Sequence, residues 1–142
     1  MSTTENLLSQ IQEQFELQPK DLNTYSPLTL AYLGDAIYEI IIRTLIVESK
    51  NGTVKSLHKS SSNLVNAKAQ ADLFAKFENN LSEEELSIYK RGRNAKSHSV
   101  AKNADVHDYR IATGVECLMG YLYLSGKMSR CLELIRCGLE EL

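Results

Sequence analysis

Helix breakers are scarce in this sequence: two prolines and seven glycines in 142 residues, and no tryptophan at all. Leu, Ile, Ala, Glu, Lys and Ser recur at helical spacing instead, which disfavours a turn-rich sandwich or barrel and points to an all-α fold. Cysteine is also sparse. Cys117, Cys131 and Cys137 are odd in number and lack CxxC spacing, and a six-residue step does not bring two side chains together on one helix. Neither a disulfide nor a zinc site is expected. No charge-free apolar run suits a membrane helix. The nearest candidate, residues 28–47, carries Asp35, Glu39 and Arg43, each costing about 2.5–3.5 kcal/mol at a bilayer centre. The opening "MSTTENLLSQIQEQF" lacks the basic start and apolar stretch of a secretory signal, so a cytoplasmic protein without membrane contact is expected. A GxSxG elbow is missing too, and His98 in "SHS" has no visible third partner, which reads as a loop residue rather than a general base.

What remains is 43% hydrophobic and 24% charged, enough for one domain, residues 1–142, with a sizeable core. Ser26 and Pro27 supply an N-cap and a first-turn proline for a long helix ending near Lys50, with Asn51 and Gly52 as its stop. Thr53 starts a shorter segment. The stretch "SSSNLVNAKAQADLFAKFENN" then reads as a further helix with the apolar stripe Leu64, Ala67, Ala71, Phe74, ended by Asn79 and Asn80. Ser82 and Glu85 form a capping box, Asp105 caps a helix that runs to about Ser125 and stops at Gly126, and an amphipathic helix fills much of 128–142. "GRNAKSHSVAKNA" lacks strong helical pattern and reads as a mobile loop.

Two carboxylates sit where an apolar core is expected. In "LAYLGDAIYEII", residues 30–41, Asp35 follows Gly34, and an isolated buried charge is costly enough to need a partner or a task. Ala31, Asp35, Glu39 and Arg43 form one stripe beside an apolar face of Leu30, Leu33, Ile37, Ile41 and Leu45. Spacing alone favours an exposed edge with a Glu39–Arg43 ion pair. The second carboxylate is Glu116 in "ATGVECLMGYLYL", one turn before Gly120. Gly34 and Gly120 would let two helices approach closely, at about 1 kcal/mol of helix propensity each, and bring Asp35 and Glu116 together. Carboxylate oxygens and water suit Mg2+ or Mn2+.

"LAYLGDAIYE" resembles the ribonuclease III signature, and "GVECLMGYLYL" resembles that family's second acidic motif, in the same order. With "RGRNAKS" and "HKSSSNLVNAKAQA" between them, the similarity covers nearly the whole chain and is nearest to the Mini-ribonuclease III subgroup. The resemblance implies an all-α endonuclease domain that dimerises, binds double-stranded RNA and cuts phosphodiester bonds with Mg2+, for which Mn2+ can substitute. It assigns Asp35 and Glu116 as catalytic residues and metal ligands. Larger members carry acids where this chain has Leu28, Ala31 and Thr113, leaving two carboxylates here, as in the miniature subgroup. Glu39 is close enough to assist, although its structural role is preferred.

A net charge of −2 is awkward for an RNA binder, yet Lys90, Arg91, Arg93, Lys96 and Lys102 fall in an acid-free run between Leu86 and Ala104. Gly92 and Asn94 break the helix end there and expose backbone amides. A solvated charge cluster explains the composition equally; the resemblance turns it into an RNA contact surface. Lys59, Asn63, Asn66 and Gln70 make a second polar row, suited to phosphate and 2′-hydroxyl contacts, though an ordinary wet helix face fits nearly as well.

The chain ends about 16 residues after Gly126, which leaves no room for the separate double-stranded-RNA-binding domain of larger relatives, so the catalytic dimer is expected to grip RNA itself with salt-sensitive, modest affinity. The resemblance further implies trimming of the paired ends of the 23S ribosomal RNA precursor in bacteria, with a ribosomal protein presenting the substrate. Two other classes stay open: a non-catalytic RNA-binding or ribosome-associated module of the same fold, and a helical interaction domain whose glycines serve only close helix contact.

Overall fold

The structure, a computed structural model, describes residues 6–49, 52–95 and 105–139. Among them are seven α-helices and no strand: α1 (Leu7–Gln14), α2 (Pro27–Ser49), α3 (Val54–Val65), α4 (Ala67–Phe77), α5 (Glu83–Asn94), α6 (Val106–Leu124) and α7 (Met128–Gly138). Short 3-10 turns at Leu22–Thr24 and Glu78–Asn80 precede α2 and follow α4. The all-α expectation holds.

The expected caps form. Ser26 Oγ accepts from the Thr29 amide at 3.1 Å, opening α2. Ser82 and Glu85 exchange both bonds of the capping box at 2.9 and 3.1 Å, and Asp105 accepts from the His107 amide at 2.8 Å. Gly126 closes α6 with φ +72, a left-handed conformation that favours glycine. α1, which carried no sequence expectation, is capped by Asn6 and buries no residue.

α6 is the central helix. It is buried from Ala112 to Tyr123 at all but two positions, because α2, α4, α5 and α7 all pack on it. Its closest neighbour is α2, and glycine sets the distance. A Cβ on Gly34 would stand 1.7 Å from the Glu116 carbonyl oxygen, and one on Gly120 would stand 2.0 Å from that of Leu30. The seam therefore takes no side chain at either position. α5 uses the same device, so Gly92 does not break the helix end as expected but lies buried within α5, where an added Cβ would meet Cys117 Cβ at 2.4 Å.

Two further expectations need correction. The buried face of α2 is Leu30, Ala31, Gly34, Ile37, Tyr38, Ile42 and Ile46, whereas Leu45 is exposed and Ile41 half-buried. Gly34 lies on that face because contact with α6, rather than side-chain hydrophobicity, orients the helix. The second concerns the helix expected to run through "SSSNLVNAKAQ". It breaks at Asn66, whose extended backbone ends α3 and whose side chain accepts from the Ala69 amide at 2.8 Å to start α4. The break resets the phase, so α4 buries Gln70, Leu73, Phe74 and Phe77.

α5 and α7 are tied across the fold by Arg130. Its guanidinium donates to both Glu85 oxygens at 2.7 and 2.8 Å and to the Asn80 carbonyl at 2.6 Å. The two-pronged bond holds Glu85 well below the usual carboxylate range, at about 2.

Candidate active site

Asp35 and Glu116 meet because the residues beside them touch. With Gly34 resting on the Glu116 carbonyl, the next side chain of α2 comes alongside that of Glu116 on α6. Asp35 is exposed and Glu116 half-buried, so the pair opens to solvent from a partly desolvated floor. Burial, and then the charge of Asp35, push the Glu116 carboxyl up to about 8, while a hydrogen bond from Gln70 pulls it back.

The surroundings are held from two sides at the α3–α4 corner. Tyr38 of α2 donates its hydroxyl to the Leu64 carbonyl at 2.8 Å. Gln70 of α4 donates Nε2 to the Val65 carbonyl at 2.9 Å and to Glu116 Oε2 at 3.2 Å. Both α3 carbonyls are thereby satisfied within the site's wall.

The side chains fit a hydrated divalent cation. Among the described residues no group of three or more His, Cys, Asp or Glu comes together, so the acidic inventory is these two carboxylates. Mg2+ characteristically takes one or two carboxylates and keeps several waters, and its charge would offset the burial and the repulsion from Asp35 that together raise Glu116. The three positions that the resemblance singled out as lacking acids offer no carboxylate: Ala31 is buried, Leu28 is 37% exposed, and the Thr113 hydroxyl donates to the Tyr109 carbonyl at 2.9 Å. Glu39 accepts from Arg43 at 2.5 Å, the exposed ion pair that spacing favoured.

The expected RNA surface divides. Lys90, Arg91 and Asn94 are exposed and line a groove along α5 with Glu83, Leu86 and Ser87. Arg93 is half-buried, its guanidinium 5.8 Å from the centre of the Tyr89 ring and its Nε donating to Asn94. Lys96, His98 and Lys102 lie outside the described residues. Lys59 and Asn63 are exposed on α3. Asn66 is exposed too, its side chain capping α4, whereas Gln70 is corrected: only 2% exposed, it belongs to the acidic site rather than to a wet face. Its signal lay in the spacing Gln70, Leu73, Phe74, Phe77, the i, i+3, i+4, i+7 pattern of a buried stripe, visible once the helix is started at Asn66.

The Ribonuclease III domain model matches residues 28–127, from the start of α2 to the turn beyond α6. The chain belongs to the ribonuclease III family. Within that family it falls in the Mini-ribonuclease 3 group and is an endoribonuclease. It is 51% identical over 118 residues to the Mini-ribonuclease 3 of Enterococcus faecalis, covering 82% of this chain and 89% of that one. It is 48% identical over 123 residues to the Brevibacillus brevis Mini-ribonuclease 3, covering 87% and 92%. A crystal structure of a Fusobacterium nucleatum protein superposes with a TM-score of 0.76 at 35% identity, over 85% of this chain and 97% of that one. The ribonuclease III match takes in Asp35, Glu116, Gln70 and the α5 groove together.

Proposed function

We propose that this endoribonuclease cuts double-stranded RNA with a divalent cation held by Asp35 and Glu116, and that its substrate is the paired ends of the 23S ribosomal RNA precursor. The observation that carries this reading is the meeting of the two carboxylates across the glycine seam of α2 and α6. When bound, Mg2+ would offset the negative charge developing on the phosphate oxygens and lower the pKa of a water for attack on phosphorus. The protein side chains do the holding. Asp35 faces solvent, where a phosphate can approach, and Glu116 anchors the inner side of the site; no side-chain nucleophile is called for.

Two copies would present two such sites, one for each strand of a duplex. Support for a homodimer comes from α2: Leu28, Tyr32, Ala36, Ile40 and Val47 lie on one side of the helix, beside Asp35, and are all exposed, Tyr32 at 83%. A single-domain organisation is supported by relatives that are themselves matched over most of their length. Lys90 and Arg91 are suited to phosphate contact, and Lys59 and Asn63 to a neighbouring stretch of backbone. The reading carries with it a cytoplasmic location and a ribosomal protein that presents the precursor.

Purified protein incubated with labelled duplex RNA, with and without Mg2+, tests the reading against Asp35→Asn and Glu116→Gln. Mg2+-dependent cutting lost in both variants is the expected result. Binding without cutting would instead make the chain a non-catalytic RNA-binding module of the same fold. Comparing the 23S precursor stem with an unrelated duplex, alone and with large-subunit ribosomal proteins added, addresses the substrate and the presenting partner.

A further inference from the structure

Gln70 is buried at 2% exposure, yet it is the one polar side chain of α4's core-facing stripe. Its amide orientation is dictated by its neighbours. The Val65 carbonyl can only accept, so the end 2.9 Å from it must be the NH2 group, and that group's second hydrogen points to Glu116. The opposite end, Oε1, is then left as a buried acceptor without a partner among the described residues. Leaving such an atom unpaired is unfavourable, and replacing the whole amide by an apolar side chain would remove the problem. Its retention beside the acidic pair calls for a task.

We propose that Gln70 is the positioning residue of the acidic site: it fixes the Glu116 carboxylate through Nε2 and offers Oε1 to a water of the bound divalent cation. This inference rests on the reading of Asp35 and Glu116 as a cation site. A neutral amide is the right chemistry for that place. A lysine would compete with the cation for Glu116, and a third carboxylate would deepen the repulsion in a half-buried site. The amide instead donates to the carboxylate and adds no charge. Covalent geometry keeps Oε1 beside Nε2, on the amide that contacts the Glu116 carboxylate. Through the Val65 carbonyl the same side chain locks the end of α3, so the position of Glu116 is referred to a second element of the fold. Glu116 is thus braced by α4 as well as by its own helix.

Gln70→Met keeps the volume and removes both the donor and the acceptor. Binding of Mn2+ to the RNA-free protein, read by the electron paramagnetic resonance of free Mn2+, should weaken about tenfold, in line with loss of an outer partner of a ligand. At saturating metal, kcat should fall with KM for RNA little changed, because the RNA contacts lie elsewhere. Mn2+ affinity and kcat equal to the unmodified protein, with only the melting temperature altered, would overturn the proposal and leave Gln70 a core residue. Asp35→Asn, measured alongside, separates the two claims. If it too leaves Mn2+ affinity unchanged, the cation-site reading itself has failed; if it abolishes binding while Gln70→Met does not alter it, only the role of Gln70 has. A measurement on the unmodified protein covers the case in which Gln70→Met does not fold. The Gln70 side-chain amide resonances should move with added Mg2+ in step with the Asp35 and Glu116 carboxyl carbons, and an amide that stays still at saturation overturns the proposal.

Discussion

Replacing Gly34 by alanine adds one methyl group to the tightest seam in the protein. The new carbon would stand 1.7 Å from the Glu116 carbonyl oxygen, 2.6 Å from its carbon and 2.8 Å from the Gly120 nitrogen. All three are backbone atoms of α6, which no rotamer change can move aside. Since ordinary contact begins at 3.4 Å, α2 and α6 must part by about 1.7 Å, enough to forfeit much of the dispersion attraction along the seam. Overpacking a core costs about 1–3 kcal/mol where side chains can give way, and backbone cannot, so the loss here is about 4 kcal/mol. Alanine's helix propensity returns about 1 kcal/mol. The net destabilisation of about 3 kcal/mol lowers the melting temperature by roughly 10 °C, read from the far-ultraviolet circular dichroism of the helices. Activity should suffer more than stability. Asp35 is attached to the displaced helix, and a shift of about 1 Å in a catalytic group can cost on the order of a hundredfold in rate. Gly126→Ala is the matched comparison: nothing lies within 4 Å of its added carbon, and only its φ of +72 is strained, so it should lose about 1 kcal/mol and no activity. A Gly34→Ala protein that melts within two or three degrees of the original and cuts RNA within about twofold of its rate would refute the steric account of how the two carboxylates are brought together.

Two further outcomes concern the side chains of α5. Glu85 is held at about 2 by Arg130 against an ordinary 4.5, so the pair's contribution is complete above about pH 4.5 and fades as the pH falls toward 2. Arg130→Met should therefore cost about 2 kcal/mol near neutral pH, between the values for exposed and buried pairs, and progressively less in acid. Urea midpoints at about pH 7 and pH 3 measure it; a gap that does not narrow contradicts the assignment. On α5, replacing exposed Lys90 and Arg91 by glutamine should weaken duplex RNA binding and reduce the slope of log affinity against log salt by about 1.5–2, the equivalent of two phosphates. An unchanged slope would remove this groove from the RNA surface.

The expectations that survived are those made from local chemistry. Caps at Ser26, Ser82 and Asp105 act within three residues of themselves, so their effect is legible without knowing what lies across the fold. The two acidic motifs were legible through their resemblance to a family signature; the glycines beside them allowed a close helix contact without fixing that the two carboxylates meet. Asn66 shows the limit. An asparagine in a polar, helix-permissive stretch reads as one more surface residue, and it becomes a cap only because the chain must turn for α4 to bury Phe74 and Phe77 against the core. Gln70 followed it to the wrong face for the same reason.

By itself the order of residues determined the helical class and most helix ends, since periodicity and capping act over a few residues of chain; the two carboxylates, 81 positions apart, were singled out by their resemblance to a family signature. Only the tertiary structure decided which face of α2 is buried, that Arg130 reaches Glu85, and that Gln70 braces Glu116. Those contacts join residues some forty-five positions apart, and nothing in local spacing specifies a partner that distant until the helices have docked on α6.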